Sequence, residues 1–175
     1  MNLVNPEFTS LASLMNASRL STKPVAFESN ETITWGQFQQ DVAEFSQQLS
    51  QHSAKRVALC FGNSYLFAVS FFASCYASKA IILPGNYQTQ AVAELNEHFD
   101  LVIHDEQVVV ANELKALKLN HNTHGTIKEV SFDELLPEQI SITLFTSGSS
   151  GKAKAINKTL LQLATEIEIL ESLWG

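Results

Sequence analysis

Residues 56–83 read RVALCFGNSYLFAVSFFASCYASKAIIL, an apolar strand, an apolar helix and a second apolar strand in succession. Arg56-Val57-Ala58-Leu59-Cys60-Phe61 has the continuous apolar character of a strand buried on both faces, and Gly62-Asn63 closes it. Asn63 or Ser64 can cap the helix that runs on through Ala77, because a short polar side chain there accepts from the first free N–H groups. Ala80-Ile81-Ile82-Leu83 is the next strand, stopped by Pro84-Gly85. Further on, Gln88 to Phe99 reads as helix and Leu101-Val102-Ile103-His104 as strand. Apolar strands alternating with helices predict an α/β fold: a predominantly parallel sheet with helices on both faces. Tyr65 to Leu83 is the one stretch that invites a membrane reading. Ser70, Ser74, Ser78 and Lys79 interrupt it, so no membrane span is expected.

Upstream, Leu11, Leu14 and Met15 mark a short amphipathic helix within Ser10 to Leu20. Val25-Ala26-Phe27 and Thr32-Ile33-Thr34-Trp35 are short strands around a hairpin turn at Glu28-Ser29-Asn30-Glu31. Thr34 with Gln37 forms a capping box for a helix of about Trp35 to Ser50, whose stripe is Phe38, Val42, Phe45 and Leu49. Downstream, Val108-Val109-Val110 is a candidate strand, and residues 120–125 are loop. Ile140 to Phe145 is a strand, followed by a Ser/Gly loop and a closing helix from about Thr159 with Leu160, Leu163, Ile167, Leu170 and Trp174 on its stripe. No internal repeat or linker divides residues 1–175, so a single domain is expected.

The net charge of −7 argues against a nucleic-acid surface, although backbone N–H groups can still bind one anionic ligand in an acidic protein. Cys60 and Cys75, without CxxC spacing and in apolar surroundings, read as buried reduced thiols. The first residues lack a basic start and an apolar core, so no signal peptide is read and a cytoplasmic location is expected. His121 and His124 sit in a polar loop without further ligands at useful spacing, so no metal site is assigned. Glu166, Glu168 and Glu171 mark the wet face of the last helix, and Trp35 and Trp174 read as packing anchors. No catalytic acid–base or nucleophile arrangement is visible.

Chemistry concentrates in Thr146-Ser147-Gly148-Ser149-Ser150-Gly151-Lys152-Ala153-Lys154. Gly148 and Gly151 permit unusual backbone angles and let a phosphate approach main-chain N–H groups. The hydroxyls of Thr146, Ser147, Ser149 and Ser150 can donate to phosphate oxygens, and Lys152 and Lys154 add positive charge. It is not a Walker A loop, since only Ser149-Ser150 separate the glycines and Ala153 follows the lysine. A flexible Ser/Gly linker is the competing reading, but this run lies between an apolar strand and an amphipathic helix.

The loop resembles that of the AMP-forming acyl- and aryl-CoA synthetases, adenylation domains and luciferases, whose pattern is [ST]-S-G-[ST]-[ST]-G-x-P-K. Thr146 to Lys154 fits it with one departure, Ala153 in place of proline. Looser likenesses lie at Thr32 to Phe38, at Arg56 to Leu59 with Asn63-Ser64, and at Ile81 to Pro84; Lys79-Ala80 replaces the family's common Ala-Gly. The resemblance implies the N-terminal part of the large domain of an acyl-adenylating enzyme. It implies ATP and Mg2+ as cofactors of the complete enzyme, a small carboxylic acid as substrate, and coenzyme A or a carrier-protein thiol as acceptor. It also implies an aromatic-x-x-Thr-Glu segment for magnesium, a ribose-binding Asp and a lysine on a mobile domain, and none of these has a counterpart here. The expectation is an inactive N-terminal portion, truncated after the phosphate-loop helix, with uncovered apolar surface that favours self-association. Two alternatives remain open: a non-catalytic nucleotide-binding or protein-interaction module of the same fold, and an unrelated α/β phosphate-binding enzyme.

Overall fold

The computed structural model describes residues 8–28, 31–120, 128–147 and 153–174. Strands β1 (Pro24–Glu28) and β2 (Glu31–Thr34) pair antiparallel, as the hairpin reading expects. Helix α1 (Trp35–Gln51) follows at once. Its capping box is present: the Gln37 N–H donates to Thr34 Oγ1 at 3.4 Å, and the Thr34 N–H donates to Gln37 Oε1 at 2.7 Å. The expected stripe of Phe38, Val42, Phe45 and Leu49 is buried.

Next come β3 (Arg56–Cys60), α2 (Ser64–Tyr76), β4 (Ala80–Leu83), α3 (Thr89–Ala93) and β5 (Leu101–His104). The chain then forms β6 (Ala116–Lys118), β7 (Ser141–Ser147), β8 (Ala153–Thr159) and α4 (Leu160–Trp174). Six strands make one sheet in the order β6-β5-β3-β4-β7-β8, parallel throughout except for the antiparallel β7–β8 pair.

Side-chain alternation along the central strands divides the core in two. Val57, Leu59, Ile81, Leu101, Ile103 and Ile142 join the cluster that includes the α1 and α2 stripes. Ala58, Cys60, Ile82, Val102 and Phe145 point the other way, onto Val92 of α3 and onto Leu95, Phe99 and Val108. Central strands thus bury both faces, and helices lie on both sides of the sheet. Asn63 accepts from the N–H groups of Tyr65 (2.9 Å) and Leu66 (3.1 Å), and so is the cap of α2. No helix among the described residues is long and apolar enough to cross a membrane.

Several elements differ from the sequence expectation. The short helix expected within residues 10–20 is present as a 3-10 helix, Leu11–Asn16. The helix expected over residues 88–99 is broken into α3 and a 3-10 turn at Asn96–His98. Val108-Val109-Val110 is not a strand: Val108 is buried, while the Val109 carbonyl accepts from Thr89 Oγ1 at 2.8 Å. The strand in this region is β6, whose residues are at most half-buried. The largest difference follows the Ser/Gly loop. Residues 153–159 form β8, which the sequence reading lacked, while α4 starts at Leu160, as expected from about Thr159, with Thr159 and Gln162 as a second capping box.

Cys60 and Cys75 are free, buried, and placed in the two different core clusters, so the sheet separates them. Burial pushes both thiols up to about 12. Alkylating reagents at mildly alkaline pH are therefore expected to leave both untouched in the folded chain and to label both in urea, as mass spectrometry would read. Rapid labelling of either thiol without denaturant contradicts this placement.

Candidate functional site

The sheet carries its parallel strands into one end, where β3 stops at Cys60, β4 at Leu83, β5 at His104 and β7 at Ser147. Ligands of open α/β sheets bind beyond these carboxyl ends. Thr146 and Ser147 close β7, and Ala153 and Lys154 open β8, with Thr146 opposite Lys154 and Ser147 opposite Ala153. The strands on either side of the Ser/Gly segment are therefore paired neighbours and form a hairpin stem. Gly148, Ser149, Ser150, Gly151 and Lys152 lie outside the described residues. The stem is further joined by Thr143 Oγ1 donating to Asn157 Oδ1 at 2.9 Å.

Directly paired residues share a face of the sheet, so Thr146 and Lys154 lie opposite each other on one face, and both are exposed. That pair suits the oxygens of a phosphate, one neutral donor and one cation on the same face. Lys158, further along β8, is committed elsewhere: its Nζ lies 2.5 Å from Glu166 of α4. Among the described residues no group of His, Cys, Asp or Glu is placed to hold a metal ion, and the stem offers hydroxyl and amine rather than carboxylate donors.

Two residues that the sequence reading did not single out shape this end of the sheet. Asp105 follows β5 and is 1% exposed. Its Oδ2 accepts from the N–H groups of Gly62 (2.8 Å) and Asn63 (2.7 Å), and its Oδ1 from the Gln107 N–H (3.0 Å). One carboxylate thereby ties the β3–α2 turn to the end of β5. An acid placed directly after an apolar strand was the available signal, since a buried charge needs such donors. Gly85, after β4, lies against the backbone of Phe145 and Thr146, immediately before the loop. A cavity of about 530 Å³ lined by Lys55, Tyr76, Lys79 and Asp133 opens beside Arg56, Ala80 and Ser141, at the amino ends of the strands and away from this stem.

The architecture is that of the N-terminal domain of adenylate-forming enzymes. Among solved structures the chain is similar to o-succinylbenzoate CoA synthetase (MenE) from Bacillus subtilis bound with its product analogue OSB-NCoA, with TM-score 0.66 and 13% identity over 87% of this chain and 34% of that one. It is equally similar to the N-terminal subdomain of Klebsiella oxytoca NpsA in complex with 3-hydroxybenzoyl-AMSN, with TM-score 0.66 and 15% identity over 89% of this chain and 42% of that one. The nonribosomal peptide synthetase FmoA3 in its AMPPNP-bound form gives TM-score 0.65 and 10% identity over 87% of this chain and 17% of that one. The chain thus spans well under half the length of each of these proteins. No protein-family model matches the sequence, and no curated protein sequence matches it significantly.

Proposed function

We propose that this chain is a single domain over residues 1–175, the N-terminal portion of an ATP-dependent, AMP-forming carboxylate-activating ligase, and that it contributes the loop that grips the ATP phosphates. The observation that carries the reading is a coincidence of place: Thr146 to Lys154, with its glycines, hydroxyls and lysines, spans the β7–β8 stem at the carboxyl end of a sheet with the adenylate-forming architecture. In the complete reaction a carboxylate attacks the α-phosphorus of ATP, releasing pyrophosphate and leaving an acyl-adenylate, from which a thiol of coenzyme A or a carrier protein takes the acyl group. The part of this chain is to hold the departing pyrophosphate end. The glycines admit the phosphates to main-chain N–H groups, the hydroxyls of Thr146, Ser147, Ser149 and Ser150 donate to their oxygens, and Lys152 and Lys154 offset their charge. Magnesium comes with the nucleotide in this reading, and no residue here is assigned to it.

Binding and turnover separate in the test. ATP titrated against the isotopically labelled chain is expected to shift the amides of Gly148 to Lys154. Lys152→Ala and Lys154→Ala are each expected to weaken binding about tenfold, or ~1.4 kcal/mol, the scale of one lost charge-assisted hydrogen bond. ATP–pyrophosphate exchange by the chain alone is expected to stay at background with any carboxylic acid, because positioning the phosphates does not supply the other reacting groups. Silent amides would sink the phosphate reading, and brisk exchange would sink the assignment of an inactive portion.

A non-catalytic interaction module of the same fold is the second reading. It is favoured by the exposed apolar side chains of α4, with Leu173 65% and Trp174 81% exposed, and by the outer edge of β8 at the end of the sheet. The same surface supports self-association, which sedimentation across a concentration series would detect. The two buried thiols support a reducing, cytoplasmic location.

A further inference from the structure

We infer that Gly85 is a positioning residue for the candidate site: it sets where the backbone of Phe145 and Thr146 lies, and so where the β7–β8 stem presents Thr146 and Lys154. The functional part of this inference rests on the phosphate-binding reading above. Leu83 and Leu144 are paired in the parallel β4–β7 ladder, and both strands run on from that pair toward the same end. Two residues further, Gly85 and Thr146 have come so close that a Cβ on Gly85 would lie 2.6 Å from the Phe145 carbonyl oxygen, 3.4 Å from its carbonyl carbon and 3.7 Å from Thr146 Cα. All three neighbours are main-chain atoms of a strand paired on both sides, so none can swing away as a flexible side chain could. A methyl group there must move the strand end itself.

A second contact fixes the same residue from the side. The His98 ring, on the 3-10 turn after α3, packs on the Phe145 ring with centroids 4.8 Å apart at 56°. Phe145 is 5% exposed, while its neighbour Thr146 is exposed. Backbone at Gly85 and ring at His98 thus hold the last buried residue before the stem opens. Neither residue needs to touch the ligand for this to matter, since misplacing donors by about 1 Å is enough to cost much of their effect.

The test compares wild type, Gly85→Ala and His98→Ala in the whole chain, with two readouts. Without nucleotide, Gly85→Ala is expected to move the amide resonances of Thr146, Ser147, Ala153 and Lys154, and to leave those of Val57 and Ile103, in β3 and β5, where they were. With ATP, the same variant is expected to bind about tenfold more weakly. His98→Ala, at an exposed residue, is expected to move the same amides by less, and it carries the comparison if Gly85→Ala does not fold. Unmoved stem amides in the variants that fold overturn the inference, as does ATP affinity equal to wild type once those amides have moved. If wild type itself ignores ATP, the phosphate reading fails, while the amide comparison still decides whether Gly85 sets the strand end.

Discussion

Asp105→Ala is expected to destabilise the chain by about 3 kcal/mol, because three part-buried hydrogen bonds lose their one charged acceptor together. For a chain of this length that corresponds to a melting temperature lower by roughly 6–12 °C. The loss is large because the acceptor is not shared with water: Asp105 is 1% exposed, and its two oxygens are both engaged. Asp105→Asn keeps one acceptor oxygen but puts an NH2 group where a second is required, so an intermediate loss is expected. Thermal unfolding followed by circular dichroism measures both. A shift of a degree or two for the alanine variant would show that the β3–α2 turn holds its place without the carboxylate. The functional consequence lies at the carboxyl end of the sheet, where Gly62 and Asn63 hold the cap of α2.

Trp35→Ala is expected to cost still more, about 4 kcal/mol, the scale of deleting a large aromatic side chain from a packed core. Trp35 is 2% exposed, lies 5.7 Å from the Phe38 ring, and carries the Arg19 guanidinium over its face at 5.3 Å. Its backbone N–H also donates to the Lys23 carbonyl at 2.8 Å, so it locks the start of α1 to the segment before β1. Trp174→Ala provides the contrast. Trp174 is 81% exposed at the end of α4, and its removal is expected to change stability by less than about 0.5 kcal/mol. Both tryptophans read as packing anchors in the sequence, and only one is an anchor in the fold. Chemical denaturation of the two variants side by side tests the difference. Equal losses would mean that Trp174 is covered in solution, as self-association of the chain would do.

How well each strand could be read depended on where it lies in the sheet. β3, β4, β5 and β7 were legible as apolar runs because each has strands on both sides and core clusters above and below. β6 and β8 were not, and these are the two edges of the sheet. An edge strand needs only one ladder of backbone bonds and little apolar surface, and lysines along it discourage pairing with other chains. Ala153-Lys154-Ala155-Ile156-Asn157-Lys158-Thr159 has that composition, so the residues after the loop looked like a lead-in to a helix. In the candidate site, Thr146 and Lys154 were legible from residue type and spacing, but their pairing across a stem was not. The partners of Gly85 and Asp105 were out of reach for a further reason, since they lie on backbone about 60 and 40 residues away in the chain, respectively.

The order of residue types was sufficient by itself for a predominantly parallel α/β sheet, for the capping box at Thr34, for a helix cap at Asn63 or Ser64, and for nine residues with chemistry suited to phosphate. These follow from local rules, namely side-chain period, the first unpaired N–H groups of a helix, and glycine beside hydroxyl and amine. Only the folded chain decided that β7 and β8 pair on either side of the Ser/Gly segment, that one tryptophan is buried and the other bare, and that Gly85, just after β4, lies against the backbone of Phe145 and Thr146. Those outcomes depend on which distant surfaces meet, and contacts between residues far apart in sequence leave no regular spacing to read.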